Sequence, residues 1–124
     1  MDNLKQLSES ELKVMEIIWS NTPPVSRSDI EKELLKEKDL APSTIITFLT
    51  RLCEKGVLSL EKHGRTNLYT PLISRDEYLG SIGKSFLDRF FNGSISSFAL
   101  SLSGKKLSDD DIKELRKLLE EDRL

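Results

Sequence analysis

The sequence predicts a mainly α-helical fold with a small β-hairpin: a winged helix-turn-helix domain followed by a helical dimerisation domain. Three observations predict it. Four segments repeat one helix-start grammar, and apolar residues recur at helical spacing behind them. After Gly56 that spacing gives way to the alternation of a two-stranded hairpin.

The helix starts come first. "LSESEL" (Leu7–Leu12), "VSRSDI" (Val25–Ile30), "ISRDEY" (Ile73–Tyr78) and "LSDDDI" (Leu107–Ile112) each carry an apolar residue, a serine, two polar positions, an acid and another apolar residue. That is a serine N-cap with an acidic N3 residue returning to it, bracketed by a hydrophobic staple. The acids also face the positive end of the helix dipole. Each cap stabilises its helix by roughly 1 kcal/mol. Helix starts are therefore expected at Ser8, Ser26, Ser74 and Ser108.

The first helix runs to about Ser20 and buries Leu12, Met15, Ile18 and Trp19, until "NTPP" breaks it. The second, from Ser26 to about Lys36, buries Ile30 and Leu34. "EKDLAP" leads into the third, Pro42 to Lys55, with Pro42 at N1 and Gly56 as a C′ stop. Strands follow in "VLSLEK" and "NLYTPL", where Leu58/Leu60 and Leu68/Thr70/Leu72 alternate around a turn at Gly64. Pro71 confines the second strand to an edge or to its own end. Three helices and a hairpin spell a winged helix over residues 1–73, whose third helix commonly enters the major groove. Winged helices also serve as protein-docking modules, so the fold alone does not decide the function.

Composition narrows the classes. The chain has 124 residues, 37% hydrophobic and 32% charged, enough for one ordinary domain or two small ones. No apolar run approaches a membrane span and the first residues carry no export signal, so a cytoplasmic protein without membrane insertion is expected. A single cysteine, Cys53, excludes an internal disulfide and a multi-cysteine metal cage. Cys53 reads as a small buried residue. A net charge of −2 points to neither nucleic acid nor membrane. His63 has no serine, cysteine or carboxylate constellation around it in sequence; neither enzyme, cofactor nor metal is expected.

The third helix carries the functional reading. "STIITFLTRL" (Ser43–Leu52) is rich in β-branched residues, which lower helix propensity. At helical spacing Ile45, Phe48, Leu49, Leu52 and Cys53 fall on one side. Ser43, Thr44, Thr47, Thr50, Arg51 and Glu54 fall on the other, with Ile46 at the border. Ordinary solvated faces favour Glu, Lys and Gln. Threonine suits a surface that approaches a duplex: its hydroxyl reaches phosphates or base edges and its methyl packs on thymine. From Leu40 to Arg75 five cations stand against two acids, and "KHGR" sets Lys62, His63 and Arg65 at the wing tip. The candidate DNA contacts are thus Ser43, Thr44, Ile46, Thr47, Thr50, Arg51 and Lys55, with Lys62, His63 and Arg65 on flanking backbone.

The last third, residues 74–124, is too short to bury a core alone. Yet "EYLGSIGKSFLDRFF" carries Tyr78, Leu79, Ile82, Phe86, Leu87, Phe90 and Phe91. A short serine-rich helix adds Phe98, Leu100 and Leu102, and the final helix adds Ile112, Leu115, Leu118 and Leu119. These faces either fold back on the N-terminal core or pack against a second chain. The preferred reading is a two-fold dimer, which sets two reading helices in successive major grooves of an inverted-repeat operator.

As a whole the sequence resembles the BlaI/MecI/CopY family of bacterial repressors, the penicillinase repressors. The resemblance rests on "LSESELKVMEIIW", on "STIITFLTRLCEKGVL" with its T-R-L-x-x-K-G core, and on "SLSGKKLSDDDIKELRKLL". It implies a homodimeric winged-helix repressor of β-lactamase, methicillin-resistance or copper-export genes, bound to double-stranded operator DNA. In the β-lactam branch it further implies a membrane sensor with a cytoplasmic zinc protease, which ends repression by cleaving the dimerisation domain. The family's Asn-Phe cleavage pair falls on Ser101-Leu102 here, and the staphylococcal members' basic third-helix residues fall on Ser43 and Ile46. The Cys-x-Cys pairs of the copper-responsive members are missing, which excludes that metal switch. Two other readings compete: a winged-helix protein-interaction adaptor without DNA binding, and a ligand-gated repressor, for which no polar pocket signature speaks.

Overall fold

Three of the four serine caps close as reciprocal boxes. At the head of α1 (Glu9–Trp19) the Glu11 N–H donates to Ser8 Oγ at 3.1 Å, and Glu11 Oε1 accepts from the Ser8 N–H at 2.9 Å. The same exchange joins Ser74 to Glu77 before α4 (Arg75–Phe91) and Ser108 to Asp111 before α6 (Asp109–Glu120). At α2 (Arg27–Leu34) only the serine half forms, Asp29 N–H to Ser26 Oγ at 3.1 Å. There Ser26 also ends a two-residue strand, β1 (Val25–Ser26). A fifth cap, Ser94 accepting from the Ser97 N–H, precedes α5 (Ile95–Leu102). That cap lacks an acid at N3, so it falls outside the repeated grammar.

The computed structural model describes residues 6–102 and 108–120 and divides the chain into two units, the first ending at Gly83 and the second starting at Lys84. In the first unit α1 packs on α2 and on α3 (Pro42–Glu54), and β2 (Leu58–His63) pairs with β3 (Thr66–Pro71). The sheet has three strands in the order β1-β3-β2, all antiparallel, so the expected hairpin gains a third strand through Val25↔Tyr69 and Ser26↔Leu68. Pro71 ends a central strand, not an edge one. The core gathers Val14, Met15 and Ile18 of α1, Ile30 and Leu34 of α2, Ile45, Leu49 and Leu52 of α3, and Val57, Leu58 and Tyr69 of the sheet. This is a winged helix.

The first turns of α4 belong to this unit. Tyr78, expected on a dimer face, is only 3% exposed. Its hydroxyl accepts the Leu7 N–H at 2.8 Å, and its ring lies 6.0 Å from that of Trp19. Trp19 Nε1 donates to the Ile73 carbonyl at 2.9 Å, Arg75 pairs with Glu16 at 2.7 Å, and Ile82 packs on the same core. These contacts draw the start of α4 onto α1, and they pack Tyr78 and Ile82, which the sequence expected on a dimer face, against the first unit's own core.

In the second unit Phe86, Phe91 and Phe98 form a cluster with ring centroids 5.5 to 5.9 Å apart. Left-handed Asn92 and Gly93, at φ 51° and 77°, reverse the chain between α4 and α5. No described side chain after Tyr78 is buried. Phe86, Phe90 and Leu100 stay exposed, as does Leu79 on the α4 turns of the first unit. The side chains of Leu115, Leu118 and Leu119 lie outside the described residues.

Glu11 is the buried charged residue of the core, at 2% exposure, and Lys55 Nζ meets its Oε1 at 2.5 Å. Burial works to raise the pKa of Glu11, but the Lys55 ammonium and the Ser8 N–H outweigh it and hold the carboxyl below its ordinary range. A depressed folded pKa contributes stability above the unfolded value, and that contribution is lost as pH falls through the folded one. Replacing Lys55 by methionine leaves the carboxylate buried and unpaired, so about 3 kcal/mol of stability should be lost at neutral pH. With burial then unopposed by the ammonium, the deficit against the parent should shrink on acidification. Urea denaturation of both proteins at pH 7 and pH 4 checks the size and the sign.

Candidate nucleic-acid interface

The third helix turns one face inward. Ile45, Leu49 and Leu52 are buried, and Phe48 and Cys53 are half-buried beside them. Burial pushes the Cys53 thiol up and Glu54 adds to the effect, which fits an inert, small packing residue. Ser43, Ile46, Thr47, Thr50 and Arg51 are exposed on the opposite face, and Thr44 is half-buried. The helix starts at an Ala41 N-cap without a side-chain bond, with Pro42 in its first turn. It stops where Gly56 takes φ 79°, so that the Gly56 N–H reaches the Cys53 carbonyl and the Val57 N–H reaches that of Leu52. That closure sends the chain directly into β2.

Lys55 does not join the outer face. Its ammonium pairs with Glu11 at 2.5 Å, so it is not brought to the outer face where the sequence expected it among the DNA contacts. Glu11 is also the residue that sequence reasoning missed. Its acid was read only as a cap, and its second partner lies 44 residues away.

The wing is split by its own pleat. Leu58↔Pro71, Leu60↔Tyr69 and Lys62↔Asn67 share one face; Ser59↔Thr70, Glu61↔Leu68 and His63↔Thr66 share the other. Leu58 and Tyr69 are buried, so Lys62 extends the core-facing side of the ribbon. His63 stands on the opposite side, 3.7 Å from the Glu61 carboxylate. The three wing residues are therefore not one cluster. Arg65 follows Gly64 in the two-residue turn, where φ of 65° at Gly64 meets the need for a left-handed first position. Among the described residues no carboxylate pairs with Arg51, Lys62 or Arg65. All three cations are exposed.

Elsewhere the first unit holds an open cleft of about 330 Å³ between α1 and the α2–α3 connection. Ile17, Leu34, Leu40 and Phe48 wall it, and a Lys13–Glu37 pair of 2.8 Å lies among its lining residues. Among the described residues no group of His, Cys, Asp and Glu could hold a metal ion, and no helix is long and apolar enough to cross a membrane.

A backbone with this order of elements has close relatives. The family model described as "Penicillinase repressor" matches residues 7–121. The chain is 40% identical to the penicillinase repressor of Bacillus licheniformis over 98% of its own length and 94% of that protein's. It is 34% identical to the methicillin resistance regulatory protein MecI of Staphylococcus aureus, over 96% of this chain and 98% of that one. Among solved structures it matches the DNA-binding domain of the repressor BlaI at 40% identity and a TM-score of 0.55, covering 63% of this chain and 94% of that domain. A second match, with a TM-score of 0.53 and the same coverage, is monomeric Bacillus licheniformis BlaI in complex with the blaP half-operator. These relatives are named for repression and regulation, not for an enzymatic reaction. The chain belongs to the penicillinase repressor family.

Proposed function

We propose that this chain is a sequence-specific DNA-binding repressor that acts as a homodimer on an inverted-repeat operator. One observation carries the reading: the outer face of α3 is hydroxylated and short, bears an arginine that pairs with no described carboxylate, and backs onto an apolar face whose Ile45, Leu49 and Leu52 are buried. A rigid helix with small polar side chains can enter the major groove and touch base edges. Ser43, Thr44, Ile46, Thr47 and Thr50 face the groove, Arg51 meets a phosphate, and Lys62 and Arg65 reach flanking backbone. His63, beside Glu61, is the weakest contact of the set, because that carboxylate repels phosphate. The half-operator complex of the related BlaI supports the DNA partner.

Residues 1–73 supply the DNA-binding body and residues 74–124 the dimer contact. The exposed Phe86, Phe90 and Leu100 of the second unit are what a second chain covers. Leu115, Leu118 and Leu119 complete this face in the proposal. Release follows proteolysis by a membrane sensor protease in the dimerisation domain. Ser101 and Leu102 close α5, with Ser101 Oγ bonded to the Phe98 carbonyl, so cleavage there requires the last turn to unwind first.

Selection of bound duplexes from a random pool, followed by anisotropy titration, tests the whole reading. No enrichment at low ionic strength would leave a protein-docking module in its place. With a selected operator in hand, Arg51→Ala should weaken binding and lower the salt slope by about one. An unchanged slope removes Arg51 from the phosphate contacts. Replacing Phe86 and Phe90 together by aspartate should give a monomer in sedimentation, with operator affinity down roughly 100-fold because the second half-site is no longer tethered. A dimer that survives this double change places the interface elsewhere.

A further inference from the structure

Ile46 is anomalous on the reading face. It is 40% exposed, β-branched and apolar, and its helical neighbours Ser43, Thr47 and Thr50 are polar. Thr47 is less polar than its name suggests, because its hydroxyl donates to the Ser43 carbonyl at 2.9 Å. What Thr47 can offer a groove is its methyl. The middle of the face is thus a small apolar spot framed by hydroxyl groups.

In the major groove an apolar spot discriminates sharply. Set against a guanine, cytosine or adenine edge, it leaves a base donor or acceptor desolvated and unpaired, which costs free energy. Set against thymine it meets the C5-methyl, the apolar feature of that groove. Resting on the DNA-binding reading above, we propose that Ile46, with the Thr47 methyl beside it, is a specificity-determining residue that reads a thymine methyl at one position of each half-site.

The test uses the full-length protein and its selected operator, with each thymine replaced in turn by deoxyuridine, which removes the methyl and keeps every hydrogen-bonding group. One position in each half-site should then cost about fourfold in affinity, the worth of one buried methyl. That cost should vanish in Ile46→Ala and persist in Ile46→Val. Because Ile46 is exposed, both variants should keep the parent's circular dichroism. A deoxyuridine scan without any cost overturns the proposal while leaving DNA binding intact, and so does a cost that survives Ile46→Ala. An Ile46→Ala variant that loses more than roughly tenfold on the methyl-free duplex also counts against it, since one side chain's methyl contact cannot account for that much. Failure of the wild-type protein to select any duplex overturns both the proposal and the reading beneath it.

Discussion

A single carboxylate oxygen ties the start of the first helix to the end of the third. Glu11 Oε1 accepts from the Ser8 N–H and from the Lys55 ammonium, the first at the head of α1 and the second at the C-cap of α3. Burying that carboxylate is unfavourable in itself, and a buried ion pair contributes little net stability against an apolar replacement. What it supplies is position. Just beyond Lys55, Gly56 reverses the chain into β2, so one point fixes the end of α3 and the root of the wing. The outer face of α3 inherits its direction from this junction, since Ile45, Leu49 and Leu52 fill the opposite side.

A second junction works on the other end of α1. Trp19 and Glu16 hold Ile73 and Arg75, and Tyr78 reaches back to the Leu7 backbone. The head of α1 is therefore bound on one side to α3 and on the other to α4. The first turns of α4 and the end of α3 are thus both anchored to α1.

The legible parts of this architecture are those set by neighbours in sequence. Serine caps could be read because serine and acid meet within one helical turn, and all four expected caps form. The two faces of α3 could be read because period alone separates Ile45 and Leu49 from Thr47 and Arg51. Strand β1 could not, since two residues show no alternation; Val25 was read as a staple, whereas it also pairs with Tyr69. Neither could the partners of Lys55 and Tyr78, which lie 44 and 71 residues away in the chain. The split of the wing follows from the pleat alone. Adjacent residues of a strand face opposite ways, so Lys62 and His63 never could present one surface.

The charge pattern then constrains how such a protein holds DNA. The chain carries a net charge of −2, Lys55 is spent inside, and His63 stands beside an acid. Of the proposed contact residues, Arg51, Lys62 and Arg65 are the cations that remain for phosphates in each copy. Counterion release scales with the number of phosphates neutralised, so one copy gains little sequence-independent affinity from them. On the proposed reading, affinity must come from base-edge contacts by small side chains and from two copies binding one operator at once. Tethering multiplies two weak half-site contacts, and parting the copies returns each to its own weak affinity. A face sparse in lysine and rich in threonine is therefore suited to a repressor whose grip is set by pairing. Adding cations to α3 would tighten each half-site alone and blunt the release that separation of the copies provides.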